Sequence, residues 1–346
     1  MSRDQLFETV RALLELHSPS GVEDEIDGHL MAALAPYGTP EVDGAGNIIL
    51  SLAGPDGGGE SKVALLAHKD EIGGLVKRVE EGGRLIAQTL GDAHPWIWGE
   101  GPVEVLGRRD TVLGVLSFGA RHVSDESPQR KQLDDTPVKW KDAWIETKLS
   151  AEALEAAGVT VGSRIVPARW RKRPVRLGDD DEYVACHALD DKVAVAMLLE
   201  LAGRLDAPNR PLDLVFTTRE EVGCQGSQYY ARSTDAVAIV ALEVVPVAKE
   251  YAIEPGPDPV IVRADSYAPL DEGLSWELAD AAAAAGVTVR HAAVTRYGSD
   301  ASSSLDTGRV PRSACLAAAT ENTHGFEIAH LDAIDGCVRI LHNWLG

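Results

Sequence analysis

The sequence predicts an α/β/α sandwich with a mixed sheet, interrupted by a small β-barrel insert. Three observations lead there. Residues 1–71 and 179–346 alternate helical apolar spacing with short apolar runs of strand length. Residues 72–178 instead break into short β-like pieces punctuated by glycines. The charge changes in the same place: this middle stretch carries 17 Lys and Arg against 14 Asp and Glu, while the whole 346-residue chain has a net charge of −21. It also holds five of the seven tryptophans, Trp96, Trp98, Trp140, Trp144 and Trp170. Such a shift marks a separate unit (72–178) set into a host (1–71 and 179–346).

The elements follow in order. Leu6, Val10, Leu13 and Leu14 share one helical face. Ser20-Gly-Val-Glu23 has the form of a capping box opening a second helix, with Ile26, Leu30 and Leu34 turned inward. Asn47–Leu52 and Val63–Ala67 are apolar runs suited to buried strands, and Gly54–Gly59 reads as the loop tip between them. In the insert, Arg84–Leu90, Val103–Leu106, Val112–Phe118 and Arg164–Ala168 are the strand candidates. The host then resumes with a helix over Asp191–Leu205 and strands at Leu212–Thr218 and Val237–Val244. A helix at Ser275–Ala285, a strand at Ala314–Thr320 and a helix from His330 to Trp344 complete it.

Composition excludes several classes. Hydrophobic residues make up 45% and charged residues 25%, the profile of a globular protein. No run reaches the ~18 apolar residues of a membrane span, and residues 1–16 carry charge throughout, unlike a signal peptide. A cytoplasmic location is the expectation. Four cysteines without a C-x-x-C pair make no disulfide framework. The acidic balance argues against nucleic acid and anionic membranes as partners. The basic cluster Arg169-Trp-Arg-Lys-Arg173 could meet nucleic acid, but in so acidic a chain a contact between domains or subunits is the better reading.

The chemistry gathers at strand ends. Val63–Ala67 runs into His68-Lys-Asp70-Glu71, Leu212–Thr218 into Arg219-Glu220-Glu221, Val237–Leu242 into Glu243, and Ala314–Thr320 toward His324. Asp190 precedes the helix that starts at Asp191. Open α/β sheets bind ligands outside the carboxyl ends of their strands. Taken singly, each residue has an ordinary explanation: a surface histidine, a helix N-cap, a solvated loop. Glu243 is the exception, a carboxylate inside the apolar run Ala-Ile-Val-Ala-Leu-Glu-Val-Val, where burial is costly without a partner. Up to five carboxylates in one crevice repel by kilocalories at ~4 Å even at an effective dielectric near 20, so the set calls for cations. Imidazole and carboxylate donors without thiolate suit zinc, cobalt or manganese in a catalytic site.

The same residues resemble the co-catalytic di-metal aminopeptidases, the family of the glutamyl, deblocking and tetrahedral (TET) aminopeptidases. The resembling stretches are Ser18-Pro-Ser-Gly-Val-Glu23, Asp43-Gly-Ala-Gly-Asn47, Ala67-His-Lys-Asp-Glu-Ile-Gly73, Ala188-Leu-Asp-Asp-Lys192, Thr217-Thr-Arg-Glu-Glu-Val-Gly223, Gly298-Ser-Asp300 and Thr323-His324. They span nearly the whole chain except the insert. The resemblance implies two divalent metal ions per subunit, zinc first and cobalt or manganese as alternatives. His68 and His324 would bind one ion each, Asp190 would bridge, and Glu221 and Glu243 would complete the two shells. Glu220 would be the general base and Asp70 would orient His68. It further implies a cis peptide between Asp190 and Asp191, peptide substrates with a free N-terminus, and assembly into dimers to dodecamers through the insert. Asp300 would line the substrate cleft or serve as a turn residue. One departure stands out: the strand ligand is usually Asp in this family, and here it is Glu243.

Spacing separates the nearest alternatives. His68 and Asp190 lie 122 positions apart, with the insert between them, whereas Glu221 and Glu243 are only 22 apart. In the carboxypeptidase and N-acyl amino acid deacylase branch the accessory domain follows the Glu-Glu pair. A di-metal amidohydrolase of that type is therefore the runner-up. A non-catalytic oligomeric scaffold is the reading from another class, and it predicts a broken ligand set.

Overall fold

The structure, a computed structural model, describes residues 2–55, 61–126 and 136–346. Most of the loop tip expected at Gly54–Gly59 lies outside the described residues. In chain order the strands are β1 (Glu41–Val42), β2 (Ile48–Leu52), β3 (Val63–His68), β4 (Gly73–Val79), β5 (Arg84–Leu90) and β6 (Gly101–Leu106). β7 (Thr111–Ser117), β8 (Trp144–Glu146), β9 (Arg164–Pro167), β10 (Val175–Leu177), β11 (Tyr183–Cys186) and β12 (Leu212–Thr217) follow. β13 (Ala238–Pro246), β14 (Val260–Ala264), β15 (Arg290–Ala293), β16 (Arg312–Glu321) and β17 (Glu327–His330) complete the series.

The expected architecture is what forms. Among the described residues one sheet runs β1-β2-β12-β3-β13-β16-β17-β11-β10, with β14 also on β16 and β15 on β14. Its centre, β12-β3-β13-β16, is parallel, and antiparallel strands flank it. Both faces of this centre are covered, which is why its strands read as continuous apolar runs. In β3 the residues divide by face: Leu65 packs toward the helices Arg3–Leu14, Asp24–Leu34, Leu189–Arg204 and Leu331–Leu345, while Ala64 and Leu66 pack toward Gln225–Ser233. Strand alternation places successive side chains in opposite layers of the sandwich.

The second unit is a closed barrel, β4-β5-β8-β7-β6-β9. Its interior is filled by Val76, Leu85, Val103, Val105, Leu116, Ile145 and Ile165, joined by Trp98 and Trp140. These two rings meet edge to face at 5.8 Å, and the Trp140 indole N–H donates to the Ala93 carbonyl at 2.7 Å. Closure gives each barrel strand a neighbour on both sides among the described residues. The barrel strands end at Pro167, and Val175–Leu177 already pair with β11 of the large sheet. The basic cluster sits at this junction: Arg169 bonds Glu25 at 2.6 Å, Arg171 bonds the Trp98 carbonyl at 2.6 Å, and Lys172 reaches Glu71 at 2.8 Å. Its cations join the barrel to the host within one chain.

One expectation is overturned. Ser20 and Glu23 make no capping box: the helix starts at Asp24 with no side-chain cap bond. Ser20 Oγ donates to Asp70 Oδ2 at 2.6 Å instead, and Glu23 accepts from Lys69 at 2.7 Å and Thr218 at 2.7 Å. Buried polar partners beneath the crevice outcompete the helix amides for these two side chains.

Candidate metal centre

The crevice lies above the carboxyl ends of the parallel strands. β3 ends on His68, whose ring is 2% exposed. Its Nδ1 faces the backbone carbonyl of Asp70 at 3.1 Å, which turns Nε2 toward Asp190 Oδ1 at 3.0 Å. A carbonyl can only accept, so Nδ1 carries the proton and the tautomer is set from behind.

The sequence places Glu243 inside an apolar strand near its end, at Val237–Val244, and the structure carries that strand on to Pro246. The strand overruns its neighbour: pairing of β13 with β3 stops at Ala241–Leu66, while pairing with β16 continues to Pro246–Thr320. Glu243 therefore rises past the end of β3, and Oε2 comes within 4.0 Å of His68 Nε2.

Glu220 and Glu221 sit in the loop after β12. Asp70 holds that loop, with Oδ1 accepting from the Glu220 amide at 2.9 Å and Oδ2 from the Glu221 amide at 3.4 Å. Asn47 holds its base, accepting from the Thr218 amide at 3.0 Å and donating to the Gly226 carbonyl at 3.0 Å. Gly226 has no alternative here, since a Cβ would come within 2.4 Å of the Thr218 carbonyl oxygen.

His324 lies in the loop between β16 and β17, with its backbone in the left-handed region at φ 64°. Its Nε2 stands 3.5 Å from Asp190 Oδ2 and 3.6 Å from Glu221 Oε2. Asp190 thus lies between the two imidazoles, one oxygen toward each. The expected Asp190–Asp191 cis peptide is present.

The seven residues singled out from sequence are brought together, five of them in two donor triads that share one member. His68, Asp190 and Glu243 form one, and Asp190, Glu221 and His324 the other; within each, donor atoms lie within 4.8 Å of one another. Glu220 borders the same cleft but belongs to neither. Burial raises the carboxyl pKa of Glu221 and Glu243 well above the usual range, with nearby carboxylates adding to it, and pushes Glu220 up to about 8. Burial also opposes charge on His68, but the Asp190 and Asp70 carboxylates hold its pKa well above the ordinary value. Glu221 Oε1 is buried and accepts no hydrogen bond. Orphaned oxygens and carboxylates that resist ionisation are what a cation-binding site shows when its protein groups stand alone. The nitrogen and oxygen donors suit zinc, cobalt or manganese.

Two further carboxylates lie beneath the site: Glu327, which no sequence motif marks, and Asp191, the second acid of the Ala188–Lys192 stretch. Glu327, fully buried in β17, accepts from the Asp190 amide at 3.0 Å and the His324 amide at 2.8 Å, holding both flanks of the crevice. Asp191, also fully buried, accepts from the His68 amide at 3.2 Å. The signal available for Glu327 is the one that marks Glu243, an acid in a short apolar strand. Asp213 in β12 shares that signal and is occupied otherwise, by the Tyr230 hydroxyl at 2.6 Å and Ser51 at 2.7 Å.

Residues 46–340 match the sequence profile of the M42 glutamyl aminopeptidases. The chain belongs to the M42 glutamyl aminopeptidase family. It is similar to the FrvX protein of Escherichia coli K12, at 29% identity over 68% of this chain and 64% of that one. It is also similar to the glutamyl aminopeptidase of Lactococcus lactis, at 25% identity over 73% of this chain and 70% of the relative. The alignment thus spans less than two thirds of FrvX's own length. Among solved structures, the TET1 peptidase of Pyrococcus horikoshii superposes with a TM-score of 0.86 at 22% identity, covering 98% of each chain. That likeness establishes the sandwich-plus-barrel fold. Among the described residues, no helix of this M42 member is long and apolar enough to cross a membrane.

Proposed function

We propose that this M42 family member is a metal-dependent aminopeptidase that removes the N-terminal residue from peptides. The observation that carries the reading is the pair of donor triads sharing Asp190 on the floor of one cleft. His68, Asp190 and Glu243 would hold one divalent ion, and Asp190, Glu221 and His324 a second. Zinc fits the donor set, as do cobalt and manganese. Such ions, when bound, lower the pKa of a water and polarise a carbonyl.

The chain's own groups supply the rest. Glu220, 4.0 Å from His68 Nε2 and outside both triads, is placed to take the proton of the attacking water and deliver it to the leaving amine. Asp70 fixes both partners, His68 through the Asp70 backbone carbonyl and Glu220 through the hydrogen bond that the Glu220 backbone N–H donates to the Asp70 carboxylate. Glu327 sets the separation of Asp190 and His324 by bonding both their amides. With Asp190, Glu221 and Glu243 holding the ions, Asp92 and Glu220 are the carboxylates left in the cleft lining to meet a substrate's α-amine, and Arg296 lines it as well. We also assign a homo-oligomer to the chain, in the range from dimer to dodecamer. Support comes from the TET1 peptidase of Pyrococcus horikoshii, which can assemble into a tetrahedron or a large octahedral shell.

The test is a panel of aminoacyl p-nitroanilides with free or acetylated α-amines. Free-amine substrates are expected to be cleaved, the activity lost on chelation and restored by zinc, cobalt or manganese. Equal cleavage of acetylated substrates, or indifference to chelation, overturns the reading.

A further inference from the structure

We infer that Cys224, Asp300 and Glu220 form a third cation site that takes a thiophilic divalent ion, zinc or cadmium, and that filling it withdraws Glu220 from its role as base. The inhibitory part rests on the role proposed for Glu220; the site itself does not. Cys224 Sγ lies 3.0 Å from Glu220 Oε1, and one donor atom from each of Cys224, Glu220 and Asp300 falls within 4.8 Å of the others. Cys224 and Glu220 both line the cleft of about 430 Å³ above the two triads, so an ion reaches them from the substrate side.

An independent observation points the same way. Asp300 is 1% exposed; Thr217 donates to its Oδ2 and the Ser227 hydroxyl lies beside the carboxylate, while Oδ1 is buried without a well-formed hydrogen bond. A fully buried carboxylate with an idle oxygen, beside a thiol and a second carboxyl, is an arrangement that a cation completes. Burial and the neighbouring Glu220 and Asp300 carboxylates also raise the Cys224 pKa, so the thiol keeps its proton and donates to Glu220 while no cation is there. Binding exchanges that proton, released to solvent, for a metal–sulfur bond.

Sulfur makes the site selective. The two triads around Asp190 offer only nitrogen and oxygen, whereas this one adds a thiolate, which favours soft ions over manganese. The other cysteines, Cys186, Cys315 and Cys337, are buried in β11, β16 and the last helix, and none joins a donor triad among the described residues.

The experiment titrates the full-length protein with cobalt(II) while recording sulfur-to-cobalt charge transfer in the near ultraviolet, beside a zinc titration of the manganese-loaded enzyme. Wild type should show the sulfur band only after the sites without sulfur have filled, and excess zinc should inhibit. Cys224→Ser should lose the band and need at least about tenfold more zinc for the same inhibition. Asp300→Asn, checked for folding by thermal unfolding, should weaken the band. A wild type without the band, or a Cys224→Ser protein that retains it, overturns the site. A Cys224-dependent band without zinc inhibition overturns the capture of Glu220. Loss of the earlier, sulfur-free equivalents would count against the two-ion reading and leave this one to be decided by the band.

Discussion

Four consecutive residues at the end of β3 feed two kinds of cluster, and the contrast separates what holds the molecule together from what gives it chemistry. Lys69 and Glu71 turn to compensated partners. Glu71, 1% exposed, meets Lys172 at 2.8 Å and Lys192 at 3.3 Å, while Lys69 meets Glu23 at 2.7 Å and Asp27 at 2.5 Å. His68 and Asp70 turn the other way, to Asp190, Glu220, Glu221 and Glu243, where carboxylates outnumber cations. The first arrangement matches three ammonium groups with three carboxylates, although burial still lowers Lys192 to about 7 and raises Glu23 and Asp27. Burial opposes charge on Glu71, yet the two ammonium groups hold its pKa down to about 2. In the second, burial drives the Glu221 and Glu243 carboxyl groups upward, neighbouring carboxylates add to it, and His68 offsets only part. A buried charge cluster that balances is structural; one left short of positive charge is reserved for a ligand that supplies it.

Substitutions on the two sides should therefore fail differently. Glu220→Gln should lower turnover of aminoacyl p-nitroanilides by roughly 10²–10⁴-fold while the two ions of the triads sharing Asp190, counted by elemental analysis at stoichiometric metal, are retained. Retained activity would remove Glu220 from the role of base. Across the strand, Glu71→Gln leaves two buried ammonium groups without their counter-charge and should cost about 3–5 kcal/mol in denaturant unfolding, with metal content retained in the folded fraction.

Acid distinguishes the same pair. The Glu71 pKa is depressed on folding, so its contribution is fully present above the unfolded value near 4.5 and is lost as pH falls toward about 2. Stability of the wild type should drop across that window, and Glu71→Gln should flatten the drop; an identical acid limb in both proteins would deny the cluster its role. Glu327→Gln keeps the shape but gives up one of two acceptors, and should weaken metal binding by about 10–100-fold, read by competition with a chelator. The smallest effect is expected for Glu243→Asp, which shortens the strand ligand by one methylene. It should retain activity and shift the order of preference among zinc, cobalt and manganese.

Much of this contrast is legible before folding, though unevenly. Glu243 stands out because an acid in an apolar strand run violates the cost of burial. Glu327 obeys the same rule in a run too short to notice, and Asp213 obeys it for a structural purpose, so the signal cannot tell a ligand from a support. Ser20 and Glu23 show the converse: their i, i+3 separation suits a helix cap, and only the nearness of Asp70, Lys69 and Thr218 redirects them. Lys172 belongs, in sequence, to a basic cluster with no visible counter-charge. Its partner lies 101 positions away, and no local pattern reveals such a pairing.

What the sequence determined by itself was the alternation of elements, the barrel set between two halves of a sandwich, and the residue types fit for metal chemistry. These depend on periodicity and donor chemistry, which are local. Which carboxylate faces an imidazole and which faces an ammonium was decided by tertiary structure alone. Strand β13 overruns β3, the Asp70 carboxylate clamps a loop 150 positions downstream, and charges far apart in the chain interact only once packing brings them within a few ångströms.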